Sequence, residues 1–433
     1  MDKKRIDVIS LGCSKNLVDS ERLLKQLELS GFQAFHNSDN VDGDIVIINT
    51  CGFIGDAKEE SINTILTYAE AKNEGRIKEL HVMGCLSERY RDDLLAEIPE
   101  IDRIYGKFDW VNIVSDIIKR NPATMPYDRV ITTPSHYTYL KIAEGCNRFC
   151  AFCAIPLITG RYKSRPIEEI LEEVRMLVGK GVKEFNVIAQ DLSSYGLDIY
   201  KRLALPELID RMAEIDGVKW IRLHYAYPSE FPYEILDVMA RHSNVCNYLD
   251  IALQHINNDV LKNMRRHITK EETLALIRTI REKVPGIHIR TTLMVGFHGE
   301  TEEAFNELKE FVREAKFERM GAFAYCEEDD TYAAKNFSDS IPQEVKESRL
   351  EEIMTIQEDV ALESNQSKIG KTMTVVIDRE EPDYFVGRTE FDSPEVDPEV
   401  LIDKDDRLTV GNFYDVEITD ALPFELMAKL KDF

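Results

Sequence analysis

Short apolar segments alternate with helical segments along most of the chain, and this rhythm narrows the folds open to it. In the N-terminal part we predict strands at residues 6–11, 44–49 and 80–83, and helices at residues 16–29, 61–72 and 87–97. Strand–helix alternation of this length is typical of a parallel sheet with crossover helices. The class is therefore α/β, beginning with an open parallel α/β sheet.

The alternation resumes at Thr138 with longer spacing between strands. The six candidate strands are residues 138–144, 184–190, 218–225, 248–253, 287–295 and 319–325. Six βα units are too few for the usual closed barrel of eight. They predict an open, partial (βα)6 barrel of the TIM type, with its functional face at the C-terminal ends of the strands.

The C-terminal part has a different pattern. A charged helix is predicted at residues 343–367, and residues 372–377, 384–388 and 414–419 then alternate apolar and polar side chains between turn clusters. This indicates a small antiparallel β-domain. A linker with three prolines at residues 121–134 supplies another boundary, so the predicted domains are residues 1–130, 135–367 and 368–433.

The length and the charge of the chain indicate how many domains it can form and which kinds of partner it can bind. The 433 residues suffice for two or three domains, and the formal net charge is −25. Residues 371–433 carry 7 Lys and Arg against 17 Asp and Glu, a local net charge of −10. Such a surface repels nucleic acid and attracts basic partners. With neither a signal-like leader nor a membrane-length apolar stretch in view, we expect a cytoplasmic protein that does not enter membranes.

Three cysteines lie close together in one loop. Cys146, Cys150 and Cys153, here called the loop triad, have the spacing Cys-x3-Cys-x2-Cys directly after a predicted strand. Three thiolates can hold three irons of a [4Fe–4S] cluster, and no fourth cysteine lies nearby for the last iron. An open iron can bind a substrate or cofactor. Zinc and inert thiols are the alternatives, although structural zinc requires four ligands.

A second set of cysteines is dispersed along the N-terminal part. Cys13, Cys51 and Cys85, the dispersed triad, each follow a predicted strand. Parallel strands bring their C-terminal ends to one edge of the sheet, so the three thiols should meet there and bind a second cluster. The alternative is that they are buried small hydrophobes, as we expect for Cys246 and Cys326.

With both triads, the chain resembles the methylthiotransferase family of radical-SAM enzymes along nearly its whole length. The matching segments are Leu11–Glu21, Gly145–Pro156, Arg161–Pro166, Ala189–Asp191, Leu249–His255 and Thr291–Thr301. Ala252 and His298 replace prolines that are common in the family, and neither change removes a ligand. The C-terminal part resembles a TRAM domain, which is a small β-barrel.

The resemblance implies two [4Fe–4S] clusters, S-adenosylmethionine and roles for particular residues. The loop triad would bind the cofactor through the open iron of its cluster, and the dispersed triad would hold the cluster that presents sulfur. Phe152, Gln190 and the Gly296–Glu300 turn would line the cofactor pocket. Phe152 has the alternative of simple packing, and Gln190 that of a turn residue.

The sequence leaves the roles of several other polar residues undecided. His224, His255 and His298 lie at strand ends and receive no role, because a lone histidine more often satisfies hydrogen bonds than binds a metal. A basic cluster after the loop triad either binds an acidic group of the substrate or forms a solvated loop; its members are Arg161, Lys163 and Arg165.

Three functions compete. The resemblance favours the branch that adds a methylthio group to the β-carbon of an aspartate in small-subunit ribosomal protein S-twelve, with flavodoxin or ferredoxin as electron donor. An acidic C-terminal domain fits a basic ribosomal protein. Methylthiolation of a tRNA adenosine predicts a basic β-domain instead. A two-cluster electron carrier predicts four cysteine ligands for each cluster.

Overall fold

The computed structural model describes residues 4–39, 43–107, 110–118 and 128–431. These residues form a five-stranded sheet, a six-stranded sheet and a closed five-stranded barrel, in chain order. The predicted linker at residues 121–134 lies partly outside the described residues. The domain boundaries stay a prediction.

The first sheet is parallel, with strand order β2-β1-β3-β4-β5. Its strands are β1 (Arg5–Ser10), β2 (Gln33–His36), β3 (Ile45–Thr50), β4 (Glu79–Gly84) and β5 (Arg103–Ile104). Its helices are α1 (Ser14–Leu29), α2 (Gly55–Asn73), α3 (Cys85–Arg89), α4 (Arg91–Glu97) and α5 (Trp110–Ile118). The predicted strands and helices are confirmed, except that residues 87–97 fall into two helices and that β2, β5 and α5 were missed.

Strand β3 shows why this sheet is parallel and covered on both faces. All six of its residues are buried. Val46 and Ile48 pack into the apolar core on one side of the sheet, whereas Ile45 and Ile47 pack with Leu23 on the other. A continuous apolar run of this kind is typical of a parallel strand between two helical layers.

The second sheet is also parallel, in the order β13-β12-β11-β10-β9-β6. Its strands are β6 (Tyr137–Lys141), β9 (Glu184–Ile188), β10 (Trp220–Ala226), β11 (Val245–Ile251), β12 (His288–Val295) and β13 (Arg319–Ala324), and a separate antiparallel pair is β7 (Ala143–Glu144) with β8 (Lys163–Ser164). The accompanying helices are α6 (Ile155–Thr159), α7 (Ile167–Gly179), α8 (Leu197–Tyr200), α9 (Leu205–Ala213), α10 (Glu234–Arg241), α11 (Asn258–Asn263), α12 (Lys270–Lys283), α13 (Glu302–Ala315), α14 (Tyr332–Asn336) and α15 (Gln343–Gln366). The predicted open six-stranded arrangement is confirmed.

The C-terminal strands close into a barrel in the order β14-β15-β16-β18-β17. They are β14 (Thr372–Glu380), β15 (Tyr384–Thr389), β16 (Glu399–Asp403), β17 (Phe413–Ala421) and β18 (Glu425–Leu430). The antiparallel barrel is confirmed with one difference: β16 and β18 pair in parallel. The sequence pattern missed these two strands, so this pairing was not foreseen.

Buried ion pairs attach the barrel to the central sheet. Arg388 of β15 donates two hydrogen bonds to Glu184 of β9, at 3.0 and 2.8 Å. Arg319 of β13 pairs with Asp392 at 2.5 Å. The Arg388–Glu184 pair is bidentate, and this geometry helps a buried pair to offset the cost of desolvation.

No helix among the described residues combines the length and apolar character that crossing a membrane requires.

Candidate functional site

The dispersed triad meets at the C-terminal edge of the first sheet. Cys13 is the N-cap of α1, Cys51 follows β3, and Cys85 is the first residue of α3. A Cβ atom on Gly12 would lie 2.9 Å from the Cys51 Sγ, so the loop that carries Cys13 lies directly against Cys51. Cys85 Sγ lies 3.6 Å from Asn16 Oδ1, in the first turn of the same helix α1. The predicted convergence of three strand ends is therefore present.

Asn16 fixes this edge, a role that the sequence analysis missed. Its Nδ2 donates to the carbonyl oxygens of Leu11 at 3.1 Å and Thr50 at 3.0 Å, joining the ends of β1 and β3. Asn49 donates in turn to the Asn16 carbonyl at 2.9 Å. The sequence did contain a signal for this role: Asn16 lies three residues after Cys13, and Asn49 lies two residues before Cys51.

The thiols of this triad differ in their readiness to ionise. Burial raises the pKa of Cys85 to about 12 and also raises that of Cys51. Burial acts in the same direction on Cys13, but the charge of Lys15 and the backbone N–H of Asn16 outweigh it and lower the pKa. Cys13 is exposed to solvent, whereas Cys51 and Cys85 are buried.

The backbone shapes the loop triad. Gly145 has a φ of +81°, and a Cβ atom there would lie 2.3 Å from the Arg161 carbonyl oxygen, so this position requires glycine. The pairing of β7 with β8 closes the base of the loop. The N–H of Ala151 donates to the Met264 carbonyl at 2.9 Å and ties the loop to the segment after α11.

Hydrogen-bond donors face the loop-triad sulfurs. Arg266 Nη1 lies 3.4 Å from Cys150 Sγ, and the Tyr227 hydroxyl lies 3.7 Å from it. The backbone N–H of Arg148 lies 3.5 Å from Cys146 Sγ. Burial raises the pKa of Cys146 to about 12, and this N–H opposes that rise.

The two triads approach one another where α3 packs against α6, and the region beside this contact is here called the cleft. Cys85 packs in a small buried cluster with Ala154 and Ile158, which directly follow the loop triad. Glu144, which precedes the loop triad, accepts from Lys107 at 3.0 Å and lies 3.1 Å from Lys141. Burial raises the pKa of Glu144, but these two ammonium groups outweigh it and lower the pKa.

Both triads fit an iron–sulfur cluster. Among the described residues, no three thiol, imidazole or carboxyl groups could hold one metal ion. A cluster does not need that geometry, because each thiolate binds a different iron and the sulfurs surround a volume. Backbone N–H groups also donate to the thiols, at Cys13 from Asn16, at Cys146 from Arg148, and at Cys153 from Ile155. Hydrogen bonds to the sulfurs stabilise and tune such clusters.

Phe152 and Gln190 line the cleft beside the loop triad. The Phe152 ring contacts Phe297 edge-on, with centroids 6.1 Å apart, and is only partly buried. Gln190 donates through its Nε2 to Glu144, while its Oε1 is buried with no partner. An unpartnered buried acceptor is compatible with a missing ligand at this position. The cofactor roles of both residues stay predictions.

The Gly296–Glu300 turn is held from inside the protein. Glu300 Oε1 accepts from the N–H of Gly296 at 2.9 Å and from Arg349 at 2.7 Å, and its Oε2 lies 3.1 Å from His255 Nε2. Gly296 has a φ of +74°. Both carboxylate oxygens of Glu300 thus help to shape the turn, and the cofactor role of Glu300 stays a prediction.

The three histidines have ordinary partners. His224 Nε2 lies 3.2 Å from Asn186, and burial, aided by nearby cations, lowers the pKa of His224 well below its usual value. His298 Nε2 lies 3.2 Å from the Tyr325 hydroxyl.

The three residues of the basic cluster, Arg161, Lys163 and Arg165, lie in different environments. Arg165 pairs with the buried Glu173 at 2.6 Å, whereas Arg161 and Lys163 are exposed. Cys246 is buried as expected. The expectation of a core position for Cys326 is wrong: Cys326 is exposed, because it follows the edge strand β13, where the chain leaves the sheet.

Comparison of the chain with family models and solved structures first defines its class of protein. The Radical SAM superfamily model matches residues 140–312, a model described as uncharacterized protein family UPF0004 matches residues 5–106, and a TRAM domain model matches residues 369–430. In overall fold the chain is similar to the radical S-adenosylmethionine methyltransferase TsrM from Kitasatospora setae, with TM-score 0.57, 16% identity, and coverage of 74% of this chain and 73% of that one. The chain is a radical-SAM protein and shares the superfamily's use of S-adenosylmethionine and iron–sulfur chemistry.

Full-length relatives define the particular family. The chain is 61% identical to a Bacteroides thetaiotaomicron protein named ribosomal protein uS12 methylthiotransferase RimO, over 99% of both chains. It is 56% identical to the Porphyromonas gingivalis protein of the same name, over 100% of both. The chain belongs to the RimO family of radical-SAM enzymes.

Proposed function

We propose that this enzyme is a methylthiotransferase that converts a C–H bond at the β-carbon of an aspartate in ribosomal protein uS12 into C–S–CH3. The observation that carries the proposal is full-length identity of 56–61% to several proteins named as uS12 methylthiotransferases. It extends over both triads and the barrel. The tRNA alternative is not favoured.

The two triads divide the work. Cys146, Cys150 and Cys153 would hold the [4Fe–4S] cluster that activates S-adenosylmethionine, and Phe152, Gln190, Gly296 and Glu300 would line the cofactor pocket. Cys13, Cys51 and Cys85 hold the second cluster, which carries sulfur. When bound, the clusters and the cofactor supply the radical and sulfur chemistry.

The protein's own residues position these groups and protect them. Arg266 and the Arg148 N–H stabilise the loop-triad thiolates. The Cys85–Ala154–Ile158 contact keeps the two triads at a fixed separation. Burial of Cys51, Cys85, Cys146 and Cys150 keeps water away from these ligands, and excluding water limits side reactions of a reactive intermediate.

The barrel supplies the docking surface for the basic substrate. Exposed acidic residues of the barrel with no described ion pair to the central sheet include Glu380, Asp383, Asp403 and Asp406. An acidic surface steers a basic protein toward the site and repels RNA. We also infer a small electron-transfer protein, such as flavodoxin or ferredoxin, as reductant.

The test is incubation of the reduced enzyme and S-adenosylmethionine with either uS12 or bulk tRNA, followed by mass spectrometry. The proposal expects a gain of about 46 Da, the mass of a methylthio group replacing hydrogen, on one aspartate of uS12. A gain on tRNA alone would reject it.

A further inference from the structure

Lys15 differs from the other cations that border the cleft. It lies in the first turn of α1, two residues after Cys13, and only 9% of its surface is exposed. Within residues 4–39, 43–107, 110–118 and 128–431, no carboxylate lies within 4.0 Å of its ammonium group, and no hydrogen-bond acceptor pairs with it. By contrast, Lys141 pairs with Asp19, and Arg148 pairs with Asp191.

An aromatic ring from the opposite side of the cleft supports this ammonium. Lys15 Nζ lies 3.5 Å from the ring centroid of Tyr225, which is near the C-terminal end of β10. Tyr225 has a φ of +65°, an uncommon conformation for a tyrosine, and its N–H donates to Asp250 Oδ2 at 3.4 Å. Lys15 of α1 in the N-terminal part and Tyr225 of β10 in the second sheet therefore meet at this contact.

Among the described residues the Lys15 ammonium has an aromatic ring beside it but no hydrogen-bond acceptor, so its burial is incompletely compensated. A ring face attracts a cation, but it accepts none of the three hydrogen bonds that the ammonium group offers. Tyr225 is 37% exposed, so this position is open toward the cleft. The Lys15 ammonium group can therefore form an ion pair and a charged hydrogen bond with a carboxylate that binds here.

We propose that Lys15, seated on Tyr225, binds the side-chain carboxylate of the substrate aspartate. This inference rests on the proposed function. The carboxylate carbon is bonded directly to the β-carbon, so an ion pair with Lys15 fixes the β-carbon beside the dispersed triad. Lys15 then determines specificity for an acidic side chain, because asparagine offers no negative charge.

The test compares uS12 carrying the natural aspartate with uS12 carrying asparagine at that position, using the full-length enzyme with both clusters. The variants are Lys15→Met, Lys15→Arg and the control Lys25→Met. Lys25 lies on the same helix as Lys15, but its ammonium group lies 3.6 Å from Asp128. The readouts are kcat and KM for methylthiolation, 5′-deoxyadenosine formed, and iron content.

For the wild type and for Lys25→Met, we expect a strong preference for aspartate. Lys15→Met should lower kcat/KM for aspartate about 100-fold, as for loss of a charged hydrogen bond, while changing that for asparagine less than about 3-fold. Deoxyadenosine should still form, uncoupled from methylthiolation. Lys15→Arg should regain part of the preference.

Retention of the aspartate preference in Lys15→Met, with iron content unchanged, would overturn the inference. Loss of iron in Lys15→Met would also count against it, because Lys15 would then serve the Cys13 ligand. A wild-type enzyme that modifies neither form of uS12 would instead refute the proposed function, so the two failures are distinguishable.

Discussion

The loop triad and the dispersed triad present three thiols each, but they depend on different amounts of structure. The loop triad occupies eight consecutive residues, 146–153, whereas the dispersed triad runs from residue 13 to residue 85. The first needs one glycine turn and one short strand pair. The second needs three parallel strands in register and the Asn16 hydrogen bonds that join their ends. Folding of the first sheet and binding of its cluster should therefore be coupled more tightly.

The largest expected effect follows from removing a loop-triad ligand. Cys150→Ala should abolish 5′-deoxyadenosine formation if, as proposed, the cofactor is activated at the cluster held by this triad. The measurement is chromatography of the reaction with reductant and S-adenosylmethionine. The exposed Cys326→Ala is the matched control and should keep full activity. Deoxyadenosine at wild-type level from Cys150→Ala would mean that this triad does not bind the cofactor's cluster.

Removing a dispersed-triad ligand should separate the two functions. Cys51→Ala should abolish methylthiolation of uS12 but leave deoxyadenosine formation within about 5-fold of wild type, since the radical depends on the other cluster. The same assay, with mass spectrometry of uS12, gives both values. If both activities fell together to zero, the proposed division of work would be wrong.

A backbone change should affect the dispersed triad selectively. Gly12→Ala would place a methyl group 2.6 Å from Cys51 Cβ in a residue with φ of +87°, so we expect a loss of about 1–3 kcal/mol in unfolding free energy and weaker binding of the second cluster. Gly31→Ala is the control: its φ is +93°, but nothing lies within 4 Å of the added atom. Chemical denaturation of both variants measures the difference, and equal losses would show that strain alone is responsible.

A smaller effect, on stability rather than on activity, is expected from changing Asp392 at the interface between the barrel and the central sheet. Burial alone would raise the pKa of Asp392, but Arg319 and Lys368 lower it to about 2. This depressed pKa contributes stability above the unfolded-state pKa near 4, and the contribution is lost as the pH falls from about 4 toward 2. The expected size is roughly 2 kcal/mol, and Asp392→Asn should remove this part of the pH dependence. Denaturation at pH 7 and pH 3 checks it, and an unchanged slope in the variant would contradict it.

The sequence predicted the parallel strands and both triads because apolar runs and strand-end cysteines are local signals. It could not show which charges meet across domains. The acidic residues of the barrel were interpreted as a docking surface, yet Asp378 pairs with His136, and Asp392 and Asp397 pair with Arg319 and Arg290 of the central sheet. Such partners lie far apart along the chain.

The same limit applies at the site. Lys15 was part of a recognised motif, but its contact with Tyr225 joins residues more than two hundred positions apart. The position of Cys326 depended on where the chain leaves an edge strand. Strand periodicity carries neither kind of information.

Iron analysis of anaerobically reconstituted protein tests the central claim most directly, namely that each triad binds its own [4Fe–4S] cluster. The account predicts about eight irons per chain in the wild type and about four when all three cysteines of either triad are changed to alanine. A wild type that saturates at about four irons, or a triple variant of the dispersed triad that still binds about eight, would contradict it.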